Sequence, residues 1–129
     1  MSTRILVIED QEDNRRILRD LLTSAGYEVL EARTGEAGVL AAEAERPALI
    51  LMDIQLPGLD GYEATRRIKA NPALPPIPII AVTSYALSGD EVKAREAGCD
   101  AYVTKPFSPR ALLATVREYL AQGDAGGGR

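Results

Sequence analysis

The 129-residue chain has no histidine, no tryptophan, one cysteine and one phenylalanine. Without histidine there is no Ser-His-Asp or Cys-His machinery, no histidine-ligated zinc and no phosphohistidine on this chain. The lone Cys99 excludes an internal disulfide framework and any multi-cysteine metal site. Lying between a helical pattern and a strand, it reads as a small packing residue. No apolar run approaches the ~18 residues of a membrane span. A formal net charge of −4 argues against nucleic acid, for which a basic face would be expected, and Met1-Ser2-Thr3-Arg4 leads straight into a strand pattern without the layout of a signal peptide. Together these absences predict a soluble, cytoplasmic protein with neither nucleic-acid nor membrane partners. Any phosphoryl chemistry must rest on carboxylates.

With 46% hydrophobic and 26% charged residues, the chain has the size and composition of one domain that buries a core without staples. Residues 1–122 are predicted to form it. Residues 123–129, with four glycines and no apolar anchor, are predicted to be a flexible tail.

Short apolar segments alternate with longer helical patterns, five of each, which predicts an α/β fold of repeated βα units around a parallel sheet. Strands are expected over residues 5–8, 27–32, 48–52, 77–82 and 101–103. The first helix is expected over 13–25, with Ile17, Leu18, Leu21 and Leu22 at three- and four-residue spacing and Gly26 ending it. Thr34 is the expected N-cap of an alanine-rich second helix that Pro47 ends by Arg46. A turn-rich loop over residues 55–61 precedes a third helix over 62–70, and a proline-rich linker follows it. The fourth helix, expected over 87–97, is less apolar and reads as a surface helix. Ser108-Pro109 supplies an N-cap and a first-position proline for a fifth helix over 110–122, with Leu112, Leu113, Val116 and Leu120 on one face.

Polar residues close four of the strand segments: Glu9 and Asp10 after the first, Asp53 after the third, Thr83 after the fourth, and Lys105 with Pro106 after the fifth. Ligands bind open parallel sheets outside the carboxyl ends of the strands, where the strand order reverses, so these side chains are expected to meet. Two unit charges 4 Å apart repel by about 4 kcal/mol at an effective dielectric near 20. Glu9, Asp10 and Asp53 therefore call for a cation, and oxygen-only donors suit Mg2+, with Mn2+ as a substitute. With an ion beside it, Asp53 is the expected nucleophile for a phosphoryl group, forming an aspartyl phosphate. Lys105 would pair with one phosphoryl oxygen and the Thr83 hydroxyl would donate to another. Taken singly, Glu9-Asp10 could cap a helix, Thr83 could be a turn hydroxyl and Lys105 a solvated charge; it is their joint placement at four strand ends that points to a site.

Over nearly its full length the chain resembles the receiver domain of two-component response regulators. The likeness rests on Val7-Ile8-Glu9-Asp10, the run from Leu51 through Asp53 and Pro57-Gly58 to Gly61, Ile80-Ala81-Val82-Thr83, Gly98-Cys99-Asp100-Ala101-Tyr102 and Thr104-Lys105-Pro106-Phe107. It implies a flavodoxin-like (βα)5 sandwich with strand order 2-1-3-4-5. It also implies phosphoryl transfer to Asp53 from a phosphohistidine on a sensor histidine kinase or a phosphotransfer protein. Asp10 and Asp53 would be direct metal ligands, Glu9 a ligand through water and Gln55 the donor of a backbone carbonyl. Thr83 and Tyr102 correspond to the family's switch pair, the Lys105–Pro106 peptide is expected to be cis, and Gln55 and Tyr85 hold positions that tune phosphate lifetime.

The wording from Asp53 to Pro57 and from Ile79 to Tyr102 is most similar to single-domain regulators of the DivK type, whose output is a protein-binding surface. Here that surface would be helix four, strand five and helix five. Two copies could pair through helices four and five or through helices one and five, with Arg95, Tyr102 and Arg117 expected on one such face. The receiver of a hybrid kinase, acting as a phosphorelay intermediate or phosphate sink, shares much of the same wording. A pseudo-receiver that binds partners without phosphorylation does not explain the intact residue set. Either way the chain is expected to be a self-phosphorylating, self-dephosphorylating signalling protein rather than a turnover enzyme. An aspartyl-phosphate phosphohydrolase would need an aspartate where Gln55 stands. A flavin carrier would need a Ser/Thr/Gly-rich loop where Glu9-Asp10-Gln11-Glu12-Asp13 would repel its phosphate.

Overall fold

The structure, a computed structural model, describes residues 3–83 and 90–127, excepting the side chain of Asp90 and those beyond Gln122. Five strands alternate with five helices: β1 Arg4–Ile8, α1 Glu12–Ser24, β2 Glu28–Ala32, α2 Gly35–Glu45, β3 Leu49–Asp53, α3 Gly61–Ala70, β4 Ile79–Thr83, α4 Asp90–Ala97, β5 Ala101–Thr104 and α5 Pro109–Gly127. All neighbouring strands are parallel, in the order β2-β1-β3-β4-β5, as expected.

Side chains along a strand alternate between faces, and the apolar runs of β1, β3 and β4 feed two cores at once. Leu6, Ile8, Ile50, Met52, Ile79 and Ala81 pack on one side with Ala42 of α2, Ala64 and Ile68 of α3 and Ala94 of α4. Ile5, Val7, Leu49, Leu51, Ile80 and Val82 pack on the other with Leu18 and Leu22 of α1 and Leu112 and Val116 of α5. Small residues let α2 approach closely: a Cβ on Gly38 would overlap the Ile8 side chain, and one on Gly35 would overlap the Leu59 carbonyl.

Helix ends follow local chemistry. Thr34 Oγ1 accepts the Ala37 N–H at 3.0 Å and Ser108 Oγ accepts the Ala111 N–H at 3.3 Å, as expected. Asp60 caps α3 in the same way through the Glu63 N–H at 2.9 Å.

Three expectations shift. Ile17 is 53% exposed, because the inward stripe of α1 runs through positions 15, 18 and 22, and at 100° per residue Ile17 lies off it. Arg15 takes the place on that stripe. β4 starts at Ile79 rather than 77, since Pro78 has no N–H to give the ladder. α5 continues past 122 to Gly127; once nucleated, a helix adds one hydrogen bond per residue, which offsets the weak propensity of glycine. The expected start of helix four at Leu87, and Tyr85, lie outside the described residues, and the described part of that helix carries an exposed Val92.

Candidate functional site

β1 hands the chain outward to β2 on one side and β3 hands it to β4 on the other, so the strand order reverses between β1 and β3. Glu9 and Asp10 leave the end of β1, and Asp53 is the last residue of β3. One carboxylate oxygen from each of the three lies within 4.8 Å of the others. Glu9 and Asp53 are buried and Asp10 half-buried. These are oxygen donors only, without a thiolate or imidazole among them, and they fit a hard divalent cation.

Every polar atom of Glu9 is held. Its N–H donates to the Ala32 carbonyl of β2 at 3.0 Å, Oε2 accepts the Gln11 N–H at 3.1 Å, and Oε1 accepts from Lys105 Nζ at 2.7 Å. The last is an ion pair with the carboxylate side chain only 1% exposed and the lysine 15%. Asp53 Oδ1 accepts the Gln55 N–H at 3.0 Å, so the loop after β3 is tied to the carboxylate it follows. Gly61 closes that loop with its N–H on the Ile54 carbonyl, and a Cβ there would collide with the Asp53 carbonyl and Ile54 Cα. On the other flank the Lys105 N–H donates to the Thr83 carbonyl at 2.6 Å, and the Lys105–Pro106 peptide is cis.

Burial pushes the Asp53 carboxyl up to about 7; the Gln55 N–H opposes this, and the hydrogen bond and charge of Glu9 add to it. For Glu9 burial pulls in the same direction, but the hydrogen bonds from Lys105, Asp53 and Gln11 outweigh it and the carboxyl sits below its ordinary value. Of the two carboxyls, Asp53 is therefore the one that holds a proton more readily.

Of the residues singled out from sequence, Glu9, Asp10, Asp53, Thr83 and Lys105 stand at the carboxyl ends of β1, β3, β4 and β5. Lys105 is bonded to Glu9, the more buried of the two carboxylates, 1% exposed against 6% for Asp53. Gln55 meets the site through its N–H while its side chain is exposed. Thr83 is buried at the end of β4 opposite Thr104, and Tyr102 is half-buried one strand over, paired with Ala81. Arg95 and Arg117 are exposed on α4 and α5, with Arg95 bonded to Glu91 at 3.1 Å.

Two contributors had not been singled out. Arg15 is buried behind the acidic pair. At the far end of the sheet Asp100 takes Lys69 Nζ and the Ile79 N–H, both at 2.8 Å, and its carbonyl accepts the Tyr119 hydroxyl. The second set ties α3, β4 and α5 to the start of β5.

Fold and rim together define a flavodoxin-like α/β domain with an acidic cation cluster and a lysine at its switch point. The chain belongs to the response regulator receiver domain family, whose model matches residues 5–117. It is 43% identical to the polar-differentiation response regulator DivK of Brucella anthropi over 125 residues, 97% of this chain and 100% of that protein. The DivK of Brucella melitensis biotype 1 is 42% identical with the same coverage. Among solved structures, the receiver domain of sensor histidine kinase PA1611 from Pseudomonas aeruginosa PAO1 has a magnesium ion coordinated in its active-site cleft. It is 38% identical with a TM-score of 0.87, covering 94% of this chain and 99% of that one. A CheY-like receiver domain protein from Methanospirillum hungatei JF-1 has 33% identity and a TM-score of 0.91, covering 98% and 99%. The chain is a phosphorelay receiver that matches single-domain regulators over 97% of its length, and no helix among the described residues is long and apolar enough to cross a membrane.

Proposed function

We propose that Asp53 accepts a phosphoryl group from a phosphohistidine on a sensor kinase or phosphotransfer protein, and that the phosphorylated domain signals through the face formed by α4, β5 and α5. The observation that carries this is the convergence of Glu9, Asp10 and Asp53 within 4.8 Å beside Lys105. Asp10, Asp53 and the Gln55 carbonyl would hold Mg2+, with Glu9 reaching it through water and Mn2+ as a substitute. When bound, the ion offsets carboxylate charge and neutralises the incoming phosphoryl oxygens.

The chain's own residues do the rest. A deprotonated Asp53 oxygen attacks phosphorus, the P–N bond breaks, and its electron pair stays on the donor's imidazole nitrogen. Lys105, a compact charge on a flexible stem, exchanges its place on Glu9 for a phosphoryl oxygen. The Thr83 hydroxyl donates to another, and Tyr102 fills the space that Thr83 vacates, which shifts the population of the α4, β5 and α5 surface. Partner binding or pairing of two copies at that face would involve Arg95, Tyr102 and Arg117. The domain turns over only its own phosphate, and a cytoplasmic location accords with such donors. Residues 123–129 are proposed to serve as a tail beyond the receiver domain.

Because Asp53 keeps a proton up to about 7, cation and proton compete for it. The Mg2+ concentration that half-saturates modification by acetyl phosphate should rise as pH falls below 7, by up to about tenfold per unit, and level off above pH 8. A requirement that does not change between pH 5.5 and 8 would argue against Asp53 as the competing group.

A further inference from the structure

We propose that Arg15 is a positioning residue for the metal cleft: its guanidinium holds the main chain of the Glu9–Asp10 pair so that both carboxylates face the cation. The inference rests on the Mg2+-binding reading above and concerns a residue that never touches the ion. Arg15 is only 5% exposed. A guanidinium stays charged in any protein setting, so burying one needs partners for its donors.

Nη1 donates to the Glu9 carbonyl at 3.0 Å and to the Asp10 carbonyl at 3.3 Å, and Nε donates to Glu31 Oε1 at 3.3 Å. Glu31 is in turn held by Arg19 at 3.2 Å. One rigid guanidinium fork therefore bridges two successive carbonyls of the β1–α1 turn through Nη1, while its Nε is aimed by a carboxylate on the neighbouring strand. β2 reaches the same turn by a second route, through the Ala32 carbonyl and the Glu9 N–H. Carbonyls pinned on one side of the chain leave the Glu9 and Asp10 side chains directed into the cleft with little freedom to splay apart under their mutual repulsion. Partners that orient metal ligands change metal affinity by about 10–100-fold when removed.

Two physical effects of the arginine oppose each other, which makes the test decisive. As a mere cation near the cleft Arg15 repels Mg2+, and its removal would tighten binding. As a clamp it lowers the entropy of the carboxylates, and its removal would weaken binding.

Titration of Mg2+ by calorimetry on the full chain separates these. Arg15→Met should weaken Mg2+ binding by about tenfold, and Arg15→Lys, which keeps the charge and loses the fork, by a similar factor. The rate of modification by acetyl phosphate at saturating Mg2+ should return to within about twofold of wild type, a KM-type effect that a general loss of stability would not produce. Unchanged or tighter binding in both variants would overturn the proposal. Should Arg15→Met fail to fold, Glu31→Gln, made at the exposed edge, decides instead: a loosening of about threefold supports the clamp and no change overturns it. Absence of Mg2+ binding by the wild type would instead reject the functional reading beneath it.

Discussion

Asp53→Asn should make the metal-free protein more stable, by a clearly larger margin at pH 8 than at pH 5. The Asp53 carboxyl titrates at about 7 in the fold against an ordinary value of 3.8. Between those values the folded state holds a proton that the unfolded chain has released, so stability falls as pH rises through that window. At about 1.4 kcal/mol per pKa unit, the gap corresponds to about 4 kcal/mol once pH exceeds 7. A neutral amide carries no such charge and can still accept the Gln55 N–H, so a gain of about 2–4 kcal/mol is expected at pH 8. Glu9 works the opposite way. Its lowered pKa contributes stability above 4.5 that is lost as pH falls further, so acid unfolding of the variant should persist. Urea denaturation of both proteins in EDTA at pH 5 and 8 measures this, and a variant no more stable than wild type at pH 8 would contradict the proton's place on Asp53. Added Mg2+ should close the gap from the wild-type side.

Lys105→Met should have the opposite sign and a comparable size. The substitution removes the cation 2.7 Å from a carboxylate that is 1% exposed and leaves Glu9 among two other acids. Breaking one side of a buried pair costs about 3–5 kcal/mol, and that loss is expected near pH 8. It should shrink toward pH 5, because the Glu9 carboxyl, freed of the lysine that helps hold it low, takes up a proton. Phosphoryl uptake should fall by about 100-fold, the usual effect of deleting one preorganised donor to developing charge. Denaturation at the two pH values and the rate of modification by acetyl phosphate check the two halves separately. A stability loss that is equal at both pH values would mean that Lys105 matters for packing rather than for its charge on Glu9.

The central strands were legible because β1, β3 and β4 are covered on both faces, so nearly every residue in them is apolar, and the polar residues that end them stand out by contrast. The same contrast located Glu9, Asp10, Asp53, Thr83 and Lys105 at one rim. What was not legible depends on contacts between distant segments. Arg15 looks like one of several charges on a surface helix, and only its spacing to Leu18 and Leu22 marked it as inward; the carbonyls that solvate it belong to the preceding turn. That Lys105 rests on Glu9 follows from relative burial, which one chain of letters does not express. Gly61, Gly35 and Gly38 read as turn or helix glycines, whereas each is needed because another segment's backbone or side chain occupies the place of its Cβ. The Asp100 network, spanning α3, β4 and α5, had no local pattern at all.

Mass measurement of the intact protein after incubation with acetyl phosphate and Mg2+ tests the central claim most directly, with Asp53→Asn and an EDTA-treated sample alongside. The expected result is one added phosphoryl group on the wild type, present only with the metal and absent from the variant. An adduct of equal yield on Asp53→Asn, or one indifferent to EDTA, would contradict Asp53 as the metal-dependent phosphoacceptor.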